Sequence, residues 1–246
     1  MKVLRSIRLF LPIQLSTISV GSYIRGLYLK KVIKSLSISR VKKTLDAGCG
    51  DGGYAKWFAK KYPSVRVNAY DIDLNELWKN KPKNLTFEKV DLLKLNEKDV
   101  YDFCYCIDVL NCMPKNRMAL ANICSSLKSG GYLYLHIPSK NQKRIFFKKY
   151  FRKYDSIFNK RFSGQLYSKS ELRKIITSLG FEVVKVYNTF GIFGKIAWEI
   201  NTFVDSENKI LLKILLTPLL KLLSLIDCNF ITNKEGNGIL FIAKKR

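Results

Sequence analysis

Acidic residues are scarce in this chain: of 246 residues only 19 are Asp or Glu, against 44 Lys or Arg, for a formal charge of +25. That excess draws a protein toward anionic surfaces such as phospholipid head groups or nucleic acid, although a lysine-rich proteome gives the same balance with no polyanionic partner. Histidine occurs once, at His136, and the six cysteines (49, 104, 106, 112, 124 and 228) form neither a CxxC pair nor a His/Cys grouping at zinc spacing. Zinc-ribbon and finger chemistry is thereby excluded, no metal is expected, and the thiols read as reduced and cytosolic. A long apolar run is missing too. The most aliphatic stretch, KILLKILLTPLLKLLSLI, is interrupted at Lys213, Pro218 and Lys221 and falls short of the roughly 20 apolar residues that cross a bilayer. The N-terminus carries Lys2, Arg5 and Arg8 before an apolar stretch, but Pro12 and Gln14 break it and no small-x-small site follows clearly, so no cleaved signal is expected. There is no internal repeat and no low-complexity linker.

The remainder is a globular mixture, 47% hydrophobic and 26% charged, long enough for one sizeable α/β domain. Strand-type segments recur as VKKTLDAG, RVNAYDI, LTFEKVDL, YDFCYCIDVL and YLYLHIP, each followed by a loop or a helix-like stretch. That alternation predicts a mainly parallel sheet. Tyr54, Trp57, Phe58 and Tyr62 share one helical face. Ser168 and Glu171 open a second helix with a capping box, and Gly180 closes it. FEVVKVYN and NGILFIAKK supply two later strands. The expected organisation is a basic N-terminal helical arm over residues 1–40, then one domain over 41–246 with insertions at about 139–167 and 189–236. The second insertion far exceeds the roughly 12–15 residues beyond which a connection has structure or function of its own. Within it Lys209, Lys213, Thr217, Lys221 and Ser224 mark a narrow polar stripe on an aliphatic helix, and in the first insertion Lys and Arg interleave with Phe and Tyr.

LDAGCGDGG, residues 45–53, falls where a strand ends and a helix begins. Gly48 and Gly50 permit a tight turn and bare the backbone to a ligand. Gly48, Gly50 and Gly53 also satisfy the GxGxxG dinucleotide pattern, and Asp71 follows Gly53 by eighteen residues, near the ribose-binding acid of that motif. Asp46 separates the two readings. A carboxylate at the strand tip opposes a pyrophosphate but suits a ligand carrying an ammonium and a sulfonium, and S-adenosylmethionine (SAM) is such a ligand. Asp71 can then accept both ribose hydroxyls, Ile72 beside it offers adenine an apolar face, and Asp91 with Leu92, closing the third strand, meets the adenine amine.

In this order and spacing the residues resemble the class I SAM-dependent methyltransferases, especially the broad type 11 group, over roughly Thr44 to Asn188 and the last strand. The resemblance implies a Rossmann-like, seven-stranded, mostly parallel sheet with an antiparallel last strand and helices on both faces. It also implies that Asp46, Gly48 and Gly50 hold the methionine part, with Asp71 on the ribose and Asp91 on the adenine. ANICSSLKSGGYLYLHIPS resembles the family's helix, Gly-Gly turn and fifth strand. One departure stands out: relatives often carry Glu-His after the fourth strand's Asp-Val-Leu, where this chain has Asn111 and Cys112.

Methyl transfer is an in-line displacement at an activated carbon, so alignment and water exclusion matter most. His136, at the carboxyl end of the fifth strand, is the first candidate for a general base, against the plainer reading of a strand histidine bonded to backbone. Asp108, ending the fourth strand, is a candidate to orient cofactor or nucleophile, or simply a cap for the following turn. The chain has no Asp/Asn-Pro-Pro-aromatic tetrapeptide and no Pro-Cys nucleophile, which disfavours amino-methylating and cytosine-C5 nucleic-acid enzymes. The leading expectation is a cytoplasmic enzyme docked on the anionic leaflet, methylating an oxygen, ahead of nitrogen or carbon, of a lipid, quinone-like or lipid-linked glycan acceptor. Three alternatives stay open: an aliphatic helix packed over the sheet as an ordinary lid with solvated lysines, an RNA methyltransferase, and a catalytically silent SAM- or NAD-binding regulatory module.

Overall fold

The computed structural model describes residues 19–36, 40–146, 151, 164–207 and 209–246. Among these the chain alternates as the sequence pattern predicts. Helix α1 (Val20–Ser35) leads to β1 (Lys43–Ala47), α2 (Gly53–Lys61), β2 (Arg66–Asp71), β3 (Leu85–Lys89) and β4 (Tyr101–Ile107). Then come α3 (Asn116–Ser126), β5 (Leu127–Pro138), α4 (Lys169–Ser178), β6 (Phe181–Thr189), α5 (Ile192–Ser206), α6 (Ile210–Asn229) and β7 (Gly238–Lys245). The strands form one sheet in the order β3-β2-β1-β4-β5-β7-β6. Pairings among β1 to β5 are parallel, and β7 runs antiparallel between β5 and β6. The chain steps outward from β1 to β3 and then returns to lay β4 on the other side of β1. Between β1 and β4 the sheet therefore has its topological switch point, where open α/β sheets form a crevice at the carboxyl ends of the strands.

Each central strand buries residues on both faces, and two core clusters result. One includes Ile24 and Leu29 of α1, Phe58 of α2, Tyr105, Tyr134 and Leu240. The other sets Leu45, Cys104 and Leu133 against Leu120 of α3 and Ile176 of α4. The capping box forms as read: the Ser168 hydroxyl accepts from the Glu171 N–H at 3.3 Å, and Glu171 accepts from the Ser168 N–H at 2.7 Å.

Two local expectations change. The Gly130-Gly131 pair lies inside a longer β5 that begins at Leu127, and the β4–β5 register shifts between Tyr101 and Phe103. Gly130, at φ +77°, marks the irregularity, where β5 carries three more residues than β4 between paired positions. The segment expected as a basic arm is, over residues 20–35, an integral helix. Val20, Ile24, Tyr28 and Val32 recur at i, i+4 and are buried together with Leu29 and Ile33. Its lysines had masked that apolar ladder. Residues 1–18 of the expected arm, and 147–150 and 152–163 of the basic-aromatic insertion, lie outside the described residues.

An integral α1 has a measurable consequence. Leu29→Ala is expected to cost about 2–5 kcal/mol in denaturant unfolding, as truncation of a fully buried leucine does; a loss near zero would mark α1 as a detachable arm.

Candidate active site

At the end of β1 the chain turns sharply because the N–H groups of Gly48 and Cys49 both reach the Tyr70 carbonyl at the end of β2, at 2.8 and 2.9 Å. Gly48 has φ +84°, and a Cβ there would fall 2.2 Å from a Val109 methyl, so the loop after β4 rests on bare backbone. Gly50 has φ +55° and open space where a side chain would stand, which is what a ligand needs to touch the main chain. The third constrained glycine is Gly52 rather than Gly53. With φ +76°, its Cβ would come 2.4 Å from Phe87, while Gly53 is the first residue of α2. Trp78, stacked on Phe87 at 4.9 Å, donates its indole N–H to the Gly50 carbonyl at 2.9 Å and braces the turn. The GxGxxG pattern drew attention to Gly53 and passed over both Gly52 and Trp78.

Asp46 is buried at the tip of β1, and its Oδ2 has no hydrogen-bond partner. Burial pushes its carboxyl well above the usual carboxylate range, with Asp71 and Asp51 adding to the rise and the Tyr105 hydroxyl opposing it. A buried carboxylate with an unmet oxygen is costly, and a cation placed beside it removes the cost. Asp71 ends β2 with Oδ2 held by the Gly50 N–H at 2.7 Å and Oδ1 by the Asp73 N–H at 3.2 Å. These bonds orient the carboxylate and leave it lone pairs for hydroxyl donors. Ile72 beside it is exposed. Asp91 caps the turn after β3 through the Leu93 N–H at 2.9 Å. Leu92 turns its side chain into the core, and the Asn122 amide donates to its carbonyl at 3.0 Å.

Across the switch point the structure builds a second constellation. Asp108, at φ +55°, binds the Arg25 guanidinium at 2.5 Å and His136 Nδ1 at 2.6 Å, while His136 Nε2 meets the Thr189 hydroxyl at 2.8 Å. Burial pushes the Asp108 carboxyl up, but Arg25 and His136 more than offset that and hold it below its ordinary range. An ionised Asp108 can only accept, so Nδ1 of His136 carries a proton toward it. His136 is 1% exposed and has both nitrogens engaged. In this geometry it orients Asp108, and its partners are side chains rather than backbone. Nor does Asp108 cap the turn that follows, which has no side-chain cap. Arg25 and Thr189 were not singled out from sequence, since contacts spanning 83 and 53 positions leave no local pattern. Cys112, exposed on the same loop, has its thiol pushed up to about 11 by burial and by Asp108 and Asp71, so it stays protonated at neutral pH.

Residues 21–186, about two thirds of the chain, match the family described as "Methyltransferase domain". The chain belongs to this family. It is 28% identical over 157 residues to an uncharacterized protein of Methanocaldococcus jannaschii, covering 60% of this chain and 42% of that one. It is 24% identical over 111 residues to the trans-aconitate 2-methyltransferase of Rhizobium rhizogenes, covering 44% and 43%. Phosphoethanolamine N-methyltransferase 2 of Haemonchus contortus, solved with phosphomonomethylethanolamine and S-adenosylhomocysteine, superposes with a TM-score of 0.59 at 18% identity over 83% of this chain and 48% of that one. That likeness shows the fold. The chain spans a little over two fifths of the length of the two sequence relatives and about half that of the structural one.

The cofactor is SAM, and the nicotinamide reading left open by the glycine spacing is set aside. The residues present fit it. The unmet Asp46 oxygen suits its positive charge, Gly50 leaves room against the backbone, and Asp71 is oriented to accept from the ribose. SAM supplies a methyl group already activated on sulfur, and the protein's share is to hold and align it.

Asp71→Ala is expected to weaken SAM binding by about 1–3 kcal/mol in calorimetry, the cost of buried hydroxyls losing a charged acceptor; unchanged affinity would contradict the ribose assignment. Asp46 adds a pH dependence. Its carboxyl pKa is raised in the free protein and a bound cation favours the ionised form, so binding releases a proton. SAM affinity is expected to rise with pH from the ordinary carboxylate range up to the raised value, with proton release visible in buffers of different ionisation enthalpy. Uncharged-sulfur S-adenosylhomocysteine should respond less, and equal, flat profiles for the two would count against Asp46.

Proposed function

We propose that the chain is a SAM-dependent methyltransferase that takes its acceptor from an anionic membrane surface. The observation carrying the surface part is the orientation of α6. Its polar stripe faces inward: Lys213 pairs with Asp205 of α5, Lys221 lies over Tyr23 of α1 at 5.4 Å, and Ser224 is buried. Its aliphatic side faces out, with Leu211 79% and Leu215 75% exposed and Leu219 and Leu222 half exposed. An ordinary lid would turn these leucines onto the sheet. A continuous exposed apolar face on a strongly basic protein is the pattern of an interfacial helix. No helix among the described residues is long and apolar enough to cross a membrane, so the proposed seat is in the interface.

The acceptor class follows from the lack of an open base. With both His136 nitrogens bonded to Asp108 and Thr189, the site offers no free imidazole for proton removal. That suits an acceptor oxygen that arrives already ionised, as on an acidic lipid, better than a quinol hydroxyl with pKa of about 10 or the alcohols of a glycan.

Two measurements test this. The chain is expected to co-sediment with phosphatidylglycerol-containing vesicles at low salt, and Leu211→Ser with Leu215→Ser to lower that partitioning about tenfold or more by removing apolar area. With radiolabelled SAM and host extract the label should enter the lipid fraction. Label in RNA or in water-soluble products, or no vesicle binding, would refute the membrane reading; absence of any labelled product would refute methyl transfer.

A further inference from the structure

A cavity of about 230 Å³ opens where β4 and β5 end, walled by α1, α5 and the start of the β5–α4 connection. It adjoins the cofactor cradle, because Asp108 lines it and Val109, the next residue, packs on Gly48. Among the described residues three cations, Arg25, Arg144 and Lys195, line it with one carboxylate, Asp108. Asp108 already holds Arg25 and His136.

The match is least complete at Lys195 and at one N–H of Arg25. Lys195 is 8% exposed, and among the described residues no hydrogen-bond acceptor or carboxylate lies within bonding distance of its ammonium. Asp227 and Glu235 act on it only through space, its charge easing their carboxyls downward, although Asp227 Oδ1 is itself buried without a partner. Glu199 grips the N–H groups of Ile145 and Phe146 at 2.9 and 2.7 Å, and Asp227 Oδ2 holds the Gly191 N–H at 3.0 Å. Arg25 Nε is independently buried without an acceptor. The Arg144 guanidinium stacks on Trp198, 4.7 Å from its ring. A nearly buried ammonium with no direct partner, on a cavity lined by three cations and, among the described residues, one carboxylate, favours an anion with several acceptor oxygens.

We infer that this cavity is the acceptor site and binds a compact oxyanion, a carboxylate or phosphate of the acceptor, through Lys195 and Arg25. The inference deepens the methyltransferase reading above and rests on it. The volume is below the roughly 300–1,000 Å³ of sites that enclose a whole drug-sized ligand, so the cavity takes a head group and leaves the rest of the acceptor outside.

The test is calorimetric titration of the full chain with phenyl phosphate, benzoate and benzyl alcohol, each with and without S-adenosylhomocysteine. At least one oxyanion is expected to bind, with benzyl alcohol weaker by about tenfold or more and Lys195→Met losing about tenfold for the oxyanion. Lys195→Arg should keep most of the affinity. Lys195→Met should still bind S-adenosylhomocysteine, which shows that the variant is folded. Whichever of phosphate and carboxylate binds tighter names the source of the anion. Benzyl alcohol binding equally well, or unchanged oxyanion affinity in Lys195→Met, would overturn the inference. S-adenosylhomocysteine binding without any oxyanion binding would overturn it while leaving the methyltransferase reading intact. Failure to bind S-adenosylhomocysteine would strike that reading, and the oxyanion arms would still decide this one.

Discussion

A carboxylate with one oxygen facing neither water nor a donor is the constraint around which this molecule is arranged. Asp46 occupies that position because β1 is central, with β2 and β4 paired on either side of it. The strand order places its tip at the switch point, and the bonds from Gly48 and Cys49 to Tyr70 turn the chain away at once. The crevice beside it is thus set by backbone geometry, while its preference for a cation is set by desolvation. Neither depends on a mobile side chain, which suits a site whose task is to hold an already reactive group in line.

The other half of the crevice is organised by a second acid whose environment is the opposite. Asp108 is also held at a strand end, but Arg25 and His136 surround it, so it remains ionised where Asp46 is driven toward its protonated form. Its bonds reach α1 directly and β6 through His136 and Thr189. One carboxylate therefore ties the N-terminal helix to the sheet edge. On that tie rests the helical layer of α1, α5 and α6, whose inner side walls the cationic cavity and whose outer side presents the leucines of α6. The same layer can meet an acceptor head group on one side and an apolar surface on the other.

Much of this was legible in the sequence wherever the cause is local. Strands β1, β2 and β4 show in short apolar runs, and the acids at their ends show in the break from apolar to polar. Ser168 and Glu171 announce their helix because the capping box is a contact three residues long. What escaped has non-local causes. Arg25 and Thr189 acquire roles only once α1 and β6 are folded against the strand ends, and the demand for glycine at position 52 comes from Phe87, a residue on β3. The pattern of α6 revealed an amphipathic helix correctly but could not say which side would be covered, because periodicity fixes the faces and tertiary packing chooses between them. At α1 the basic charge of residues 1–40 suggested a helical arm, although the i, i+4 apolar ladder was present in the same residues.

The central claim is that the glycine turn and the acids of β1 and β2 form one cradle for a positively charged nucleoside. A crystal structure of the full chain with SAM tests it most directly. The account predicts the ribose on Asp71, the backbone of Gly50 against the ligand and the Asp46 carboxylate facing its charged end. A nucleoside bound elsewhere, or Asp46 still unmatched beside an empty crevice, would contradict it.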